Sequence, residues 1–255
     1  MPLLRPDWPA PAPPVGALST LRSGGVSSGV WGGIDASGDI VGVGGLNLGA
    51  HVGDAVDDVR ENRRRLAALL PSEPVWLTQV HGATVINAGA ATPGVEADAS
   101  ISTAPGVVCA ILTADCLPVL LADRHGKVVG AAHAGWRGLA AGVLEHTVTA
   151  MRTAGAGDIV AWLGPAIGPK HFEVGEEVRA AFVDPDPACA PAFAATAIGG
   201  KYLADLYALA RRRLSLHGVM QVSGGDRCTF SEKQSFYSYR RDGVTGRMAS
   251  LIWLT

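Results

Sequence analysis

Three side chains of this 255-residue sequence have the chemistry of a metal centre: His81, Cys116 and His133. Thiolate and imidazole are the usual ligands of zinc, and three protein ligands with one open position mark a catalytic rather than a structural site. Zinc in such a site lowers the pKa of a coordinated water to about 7, which supplies a nucleophile near neutral pH. Spacing alone leaves alternatives open. None of the short ligand pairs of zinc fingers is present, and an unpaired cysteine is often a small buried hydrophobe. Cys116 also reads as a nucleophile with His133 as its base.

The elements that must position these groups follow from the apolar pattern. Cys116 and His133 belong to ADCLPVLLADRHGKVVGAAHAGWRG, 114–138, in which two apolar runs, 117–122 and 128–132, flank the polar turn 123–127. The pattern predicts a β-hairpin. With 124–127 as its loop, Pro118 faces His133 and Cys116 faces Gly135. Cys116 and His133 are then diagonal neighbours on one face, roughly 7 to 8 Å apart at the backbone. A slip of one residue would send them to opposite faces. A strand over 74–80 delivers His81, and the apolar run 107–113 leads into the hairpin.

Elsewhere, 17–21 reads as a short strand, and 23–45 holds too many glycines for regular structure. The run from Asp54 has an acidic first turn, later arginines, and Val56, Val59, Leu66 and Leu70 at helical spacing, ended by Pro71. The sequence after His133 turns helical, 159–163 is a buried strand, and 176–183 is a helix. Residues 184–200 read as a surface excursion, 202–216 as an amphipathic helix, and 219–222 and 248–254 as strands. Strand pairs joined too briefly for parallel crossovers indicate a mixed sheet in an α/β (α+β) fold. The proline-dense residues 1–16 are an extended lead-in to a single domain over 17–255.

Composition narrows the function classes. A net charge of -2 gives no electrostatic footprint for nucleic acid or an anionic membrane. No apolar stretch reaches transmembrane length and no basic-then-apolar leader is present. The four cysteines form no CxxC pair, so a reducing cytoplasm is the default.

The blocks GGVS (24–27), LNLGAHVGD (46–54), ENR (61–63), TQVHG (78–82), ADCLPVLLAD (114–123), AHAGWRG (132–138), WLGPAIGP (162–169), FEVGEEV (172–178) and FYSYRRDGVTGRMA (236–249) resemble the YfiH family of DUF152-like laccase-domain proteins. Members have been called polyphenol oxidases and purine nucleoside phosphorylases. The resemblance runs in order from about residue 17 to the C-terminus, and departs from the usual pattern in a longer segment over 31–45. It implies a single-domain layered sandwich similar to the cytotoxic necrotizing factor deamidases. It also implies a zinc site on His81, Cys116 and His133, with copper as the alternative ion. The implied activity is phosphorolysis of adenosine, inosine, guanosine and methylthioadenosine, with adenosine deamination as a second reaction.

Each reaction assigns further candidates. Deamination needs a proton shuttle, for which Asp115 is a candidate. Phosphorolysis needs phosphate held against the sugar, which suits the planar forks of Arg63, Arg240 and Arg241. Asn47 and Gln79 are placed to read a purine edge or ribose hydroxyls, and Tyr237 and Tyr239, alternating on a strand-like run, to stack a base. His51 alone of the remaining histidines has a motif context. The expected partners are therefore purine nucleosides and phosphate, with neither nucleic acid nor membrane. Three rivals remain: a multicopper phenol oxidase, for which seven histidines and no HxH pair are a poor basis, a Cys116-dependent amidase or hydrolase editing cell-wall precursors, and a module in which zinc only holds the hairpin in place.

Overall fold

The computed structural model describes residues 1–35, 39, 42–92 and 94–255. Five positions of the 31–45 segment therefore lie outside the described residues. In chain order the strands are β1 Leu3–Leu4, β2 Val15–Thr20, β3 Ser23–Ser27, β4 Val85–Asn87, β5 Ala99–Ser102, β6 Cys109–Thr113, β7 Leu117–Asp123 and β8 Val129–Ala134. They continue with β9 Ile159–Leu163, β10 Glu173–Gly175, β11 Phe193–Ala195, β12 Lys201–Ala204, β13 Val222–Gly224 and β14 Met248–Leu254. The helices are α1 Val56–Ala67, α2 Trp136–Ala140, α3 Val143–Thr153, α4 Glu176–Val183, α5 Leu206–Leu216 and α6 Tyr239–Asp242.

Among the described residues, these strands make a six-stranded sheet ordered β13-β9-β7-β8-β5-β4, a four-stranded sheet ordered β1-β2-β14-β6, and a small sheet ordered β10-β12-β11. The six-stranded sheet mixes parallel and antiparallel pairs, as expected for a mixed α+β fold. Side-chain alternation builds the layers. Val119 and Leu121 face a core shared with α3 and α5, where Leu144, Val148, Leu209 and Leu214 are buried. Leu120 and Ala122 point the other way, against Cys109, Ile111 and Ile252 of the four-stranded sheet. The outer face of that sheet, with Ala110, Leu112 and Leu251, packs on Leu66 of α1. The order through the molecule is thus helices, sheet, sheet, helix.

The central hairpin forms in the expected register: Pro118 pairs with His133, and the Asp123 N–H donates to Val128 O. Asp123, fully buried, closes the turn by accepting from the N–H groups of His125, Lys127 and Gly157. Several expectations differ. Residues 74–80 are not a strand; Val75 and Thr78 make single bridges, to Cys109 and Glu96. The Gln79 side chain supplies the missing ladder, donating to Leu112 O and accepting from Leu112 N, both at 2.8 Å. Residues 23–27 do form a strand, because the absent Cβ of Gly25 admits Gly45 O and Asn62 Oδ1, each within 2.3 Å of where it would stand. The expected helix over 202–216 begins only at Leu206. Asp205 caps it by accepting from Ala208 N, and the residues before it are paired in β12. The excursion over 184–200 is anchored by buried Cys189 and Phe193. Residues 1–16 are not loose throughout: Leu3 and Leu4 pair with Thr20 and Ser19, and Trp8 packs on the inter-sheet core. Among the described residues, no helix is long and apolar enough to cross a membrane.

Candidate metal centre and substrate cleft

β7 and β8 carry Cys116 and His133 to the same end of the six-stranded sheet, on the face turned toward the four-stranded sheet. The chain leaves β6 at Thr113 and turns through Asp115, whose φ of 94° lies in the left-handed region. That sharp reversal aims Cys116 back at His133. His81 comes from a different segment and also has a positive φ, 61°. Its conformation wraps three successive N–H groups, those of Val80, His81 and Gly82, around the Asp98 carboxylate at 3.2, 2.9 and 2.6 Å. Such nests of N–H groups bind anions. Here the anion is a fully buried side chain of this chain.

Asp98 also holds the second imidazole, its Oδ1 lying 2.8 Å from His133 Nδ1. A carboxylate accepts, so Nδ1 carries a hydrogen, and it is Nε2 that would give up its own proton and offer a lone pair to an ion. This is the arrangement by which metal-ligating histidines are oriented and made more basic. His81 Nε2 stands 3.8 Å from Cys116 Sγ, and the two imidazoles meet edge to face with centroids 4.8 Å apart. One donor atom from each of His81, Cys116 and His133 lies within 4.8 Å of the others. His133 is buried, Cys116 half-buried and His81 exposed, which leaves the cluster open on one side.

The electrostatics favour a thiolate. Burial pushes the Cys116 thiol up, but the His133 imidazolium beside it and hydrogen bonds to both imidazoles bring it down to about 6. Burial pushes His133 down, but the Cys116 thiolate and Asp98 carboxylate outweigh it and raise the imidazole above its ordinary value, to about 9. Burial likewise raises Asp98, yet its hydrogen bonds to His133 and Gly82 hold it below the ordinary carboxylate value. Two imidazole nitrogens and a thiolate, with a carboxylate behind one ring, fit a zinc or copper ion. Gly135 is required beside them, since a Cβ there would fall 2.9 Å from Cys116 Sγ and 3.3 Å from His81 Cδ2.

The cluster lies at the wall of a cleft of about 760 Å³, in the size range of small-molecule sites. Arg63, Gln79, Thr113, Tyr239 and Arg247 contribute to its lining. Of the sequence-predicted candidates, the structure brings His81, Cys116, His133, Arg63 and Gln79 to this cleft. Asn47 is fully buried elsewhere in the framework, where it donates to Gly49 O and Asp54 Oδ2 and accepts from the Gly49 and Arg247 N–H groups. Asp115 does not line the cleft: its oxygens accept from Thr229 Oγ1 at 2.6 Å and Arg240 N at 2.7 Å. The Arg241 guanidinium is consumed by Thr229 O, Phe230 O, Phe236 O and Asp242. Arg240 lies over the Phe172 ring and donates to Glu173 O. The two tyrosines do not form a stacking pair, because Tyr237 is buried, donating to Trp31 O, while Tyr239 opens α6 and is exposed. Asp98 and Arg247 are the residues that sequence reasoning missed. Asp98 sits in an ADAS stretch with no recognisable spacing to the histidines.

The sequence pattern of the family described as multi-copper polyphenol oxidoreductase laccase matches residues 16–255. The chain is 54% identical over 255 residues to the Escherichia coli (strain K12) protein named purine nucleoside phosphorylase YfiH, covering 99% of this chain and 98% of that one. It is 55% identical over 251 residues to the Pseudomonas aeruginosa protein named purine nucleoside phosphorylase PA4543, covering 98% of each. Among solved structures it is similar to Neisseria meningitidis protein NMB0706, with a TM-score of 0.88 and 50% identity over 99% of this chain and 98% of the other.

Proposed function

The chain belongs to the multi-copper polyphenol oxidoreductase laccase family, with YfiH among its relatives, and from that premise we propose that it is a zinc-dependent purine nucleoside phosphorylase. Its substrates are adenosine, inosine, guanosine and methylthioadenosine, and adenosine deamination is its second reaction. The observation that carries the reading is the cluster of His81, Cys116 and His133 donor atoms opening on a cleft of nucleoside size, in a chain whose relatives bear that enzyme name.

His81, Cys116 and His133 would hold the ion. When bound, zinc supplies Lewis acidity and charge neutralisation. The chain's own groups do the rest. Asp98 fixes the His133 ring and the 80–82 turn together, so both imidazoles are set before substrate enters. Tyr239, exposed at the rim, offers a face to the purine. Asp115 ties the Cys116 turn to Thr229 and to the first turn of α6, a positioning duty that we prefer to proton transfer. Residues 17–255 act as one catalytic unit. The cysteines are free, which agrees with a reducing cytoplasm.

The copper oxidase reading has less support. Among the described residues one cluster of His, Cys, Asp and Glu is arranged to hold an ion. A cysteine hydrolase reading draws on the lowered Cys116 thiol, and it requires activity that survives metal removal.

The deciding experiment is product analysis of the purified protein, zinc content determined, incubated with adenosine with and without phosphate. Adenine and ribose 1-phosphate formed only with phosphate are the expected result, and inosine in both samples would establish deamination. Neither product from zinc-replete protein would overturn the reading.

A further inference from the structure

Two guanidiniums and an imidazole line the cleft away from the hairpin: those of Arg63, Arg247 and His51. Among the described lining residues there is no carboxylate, and neither arginine is in a salt bridge. Glu73, which faces the neighbouring hollow with Arg63, accepts from Trp76 Nε1. Each guanidinium is half-spent on backbone. Arg63 lies over the Trp76 ring and directs Nε and Nη2 at Leu48 O, which leaves Nη1 without an acceptor among the described residues. Arg247 gives Nη1 to Thr245 O and Gly246 O and keeps Nε and Nη2. Both forks are thereby held in place while keeping free donors.

The position is built for this. A Cβ at Gly49 would stand 2.7 Å from Arg247 Cγ, so the glycine lets the Arg247 stem lie across the loop that carries His51. The grouping is electrostatically uncomfortable in the absence of an anion. Burial pushes all three groups below their ordinary values, and the two guanidiniums push His51 down further, which disfavours a third positive charge until an anion is present. Such a concave cationic surface, with preset planar donors, matches a tetrahedral oxyanion.

We propose that His51, Arg63 and Arg247 form the seat in which inorganic phosphate is held beside the nucleoside. The seat rests on the phosphorolysis reading and specifies its second substrate. In the reaction a phosphate oxygen forms a bond to C1′ as the C1′–N9 bond breaks. The electron pair of that bond leaves with the purine, and the proton of hydrogen phosphate ends on the base. Arg247 is a binding residue for the entering group, a role for which the sequence alone offered Arg63, Arg240 and Arg241.

The test is calorimetric titration of the purified zinc-containing protein with inorganic phosphate at constant ionic strength, for wild type, Arg247→Gln, His51→Gln and Arg240→Gln. Arg247→Gln is expected to weaken phosphate about tenfold or more, as removal of charge-assisted bonds does. His51→Gln, at an exposed side chain, should weaken it less, and Arg240→Gln not at all. Far-UV dichroism and the melting temperature without phosphate establish that each variant is folded. If Arg247→Gln is misfolded, the His51→Gln result decides: unchanged phosphate affinity there overturns the seat. Phosphate bound equally by folded Arg247→Gln and wild type also overturns it. So does an Arg247-dependent site that takes adenosine 5′-monophosphate but not inorganic phosphate. Phosphate held through Arg247 in a protein that yields no ribose 1-phosphate would leave the seat standing and remove the phosphorolysis reading instead.

Discussion

Replacing Asp98 by asparagine keeps the side-chain shape and removes one acceptor, so it isolates what the carboxylate does. In the native protein Oδ1 accepts from His133 Nδ1 and His81 N, and Oδ2 from Val80 N and Gly82 N. Asparagine offers one acceptor oxygen and one amide donor. With its oxygen at the Oδ1 position, the amide opposes the Val80 and Gly82 N–H groups, donor against donor. With its oxygen at the Oδ2 position, the amide opposes His81 N–H and forces His133 Nδ1 to accept. The ring hydrogen then stays on Nε2 and blocks the lone pair that would be offered to an ion. Each unpaired buried donor costs about 1–3 kcal/mol, and because this turn is only part-buried the lower half of that range applies, about 1–4 kcal/mol in total. Metal affinity is expected to fall about 10- to 100-fold, the usual effect of losing such a partner. Urea unfolding reads the first quantity and competition with a chromophoric zinc chelator the second. Stability within about 0.5 kcal/mol of wild type, together with unchanged zinc affinity, would refute the shared-carboxylate account.

Chelator-treated protein should show Cys116 alkylation by iodoacetamide with a midpoint near pH 6, since the thiolate is the nucleophile and its folded value lies at about 6. The sign follows from the pair: His133 stays protonated up to about 9, so between the two values the thiolate faces an imidazolium. Peptide mass spectrometry assigns the site, and a midpoint near 9 would show that the two groups are not coupled. Gly135→Ala should leave the backbone unstrained, at φ −59° and ψ 156°. Its Cβ would press on Cys116 Sγ from 2.9 Å, so zinc retention should weaken about tenfold; retention equal to wild type would mean that the thiol has room to move.

The hairpin and its register were legible because the pattern is local: two apolar runs and a polar turn leave one pairing that keeps Cys116 and His133 on a shared face. α4 and β14 were legible for the same reason, as periodicity bounded by turn residues. What was not legible depends on distant partners. Residues 74–80 look like a strand, yet Gln79 replaces ladder bonds with its side chain. Gly25 looks like loop until Asn62 and Gly45 are seen to crowd it. Tyr237 and Tyr239 share a residue type and alternate in sequence, but one is buried against Met248 and the other starts a helix. Asn47, Asp115 and Arg241 have the chemistry of site residues and are taken up by the framework. Asp98 has no motif at all, because its duty exists only once the 80–82 turn has folded around it.

That shared carboxylate also bears on the order in which the protein becomes itself. His133 and Asp98 are 35 residues apart in sequence, as are Cys116 and His81. Closing such separations carries a chain-entropy penalty before any contact rewards it. The hairpin of β7 and β8 is local and can zip early, and so can the 80–82 turn, since His81 and Asp98 are 17 residues apart; it is the joining of the two, as β5 docks beside β8, that spans the longer separation. Contacts of this range are made late on the path to the native state. The site is therefore assembled from two locally built halves, and the half that carries His81 supplies the ligand left exposed at the mouth of the finished centre.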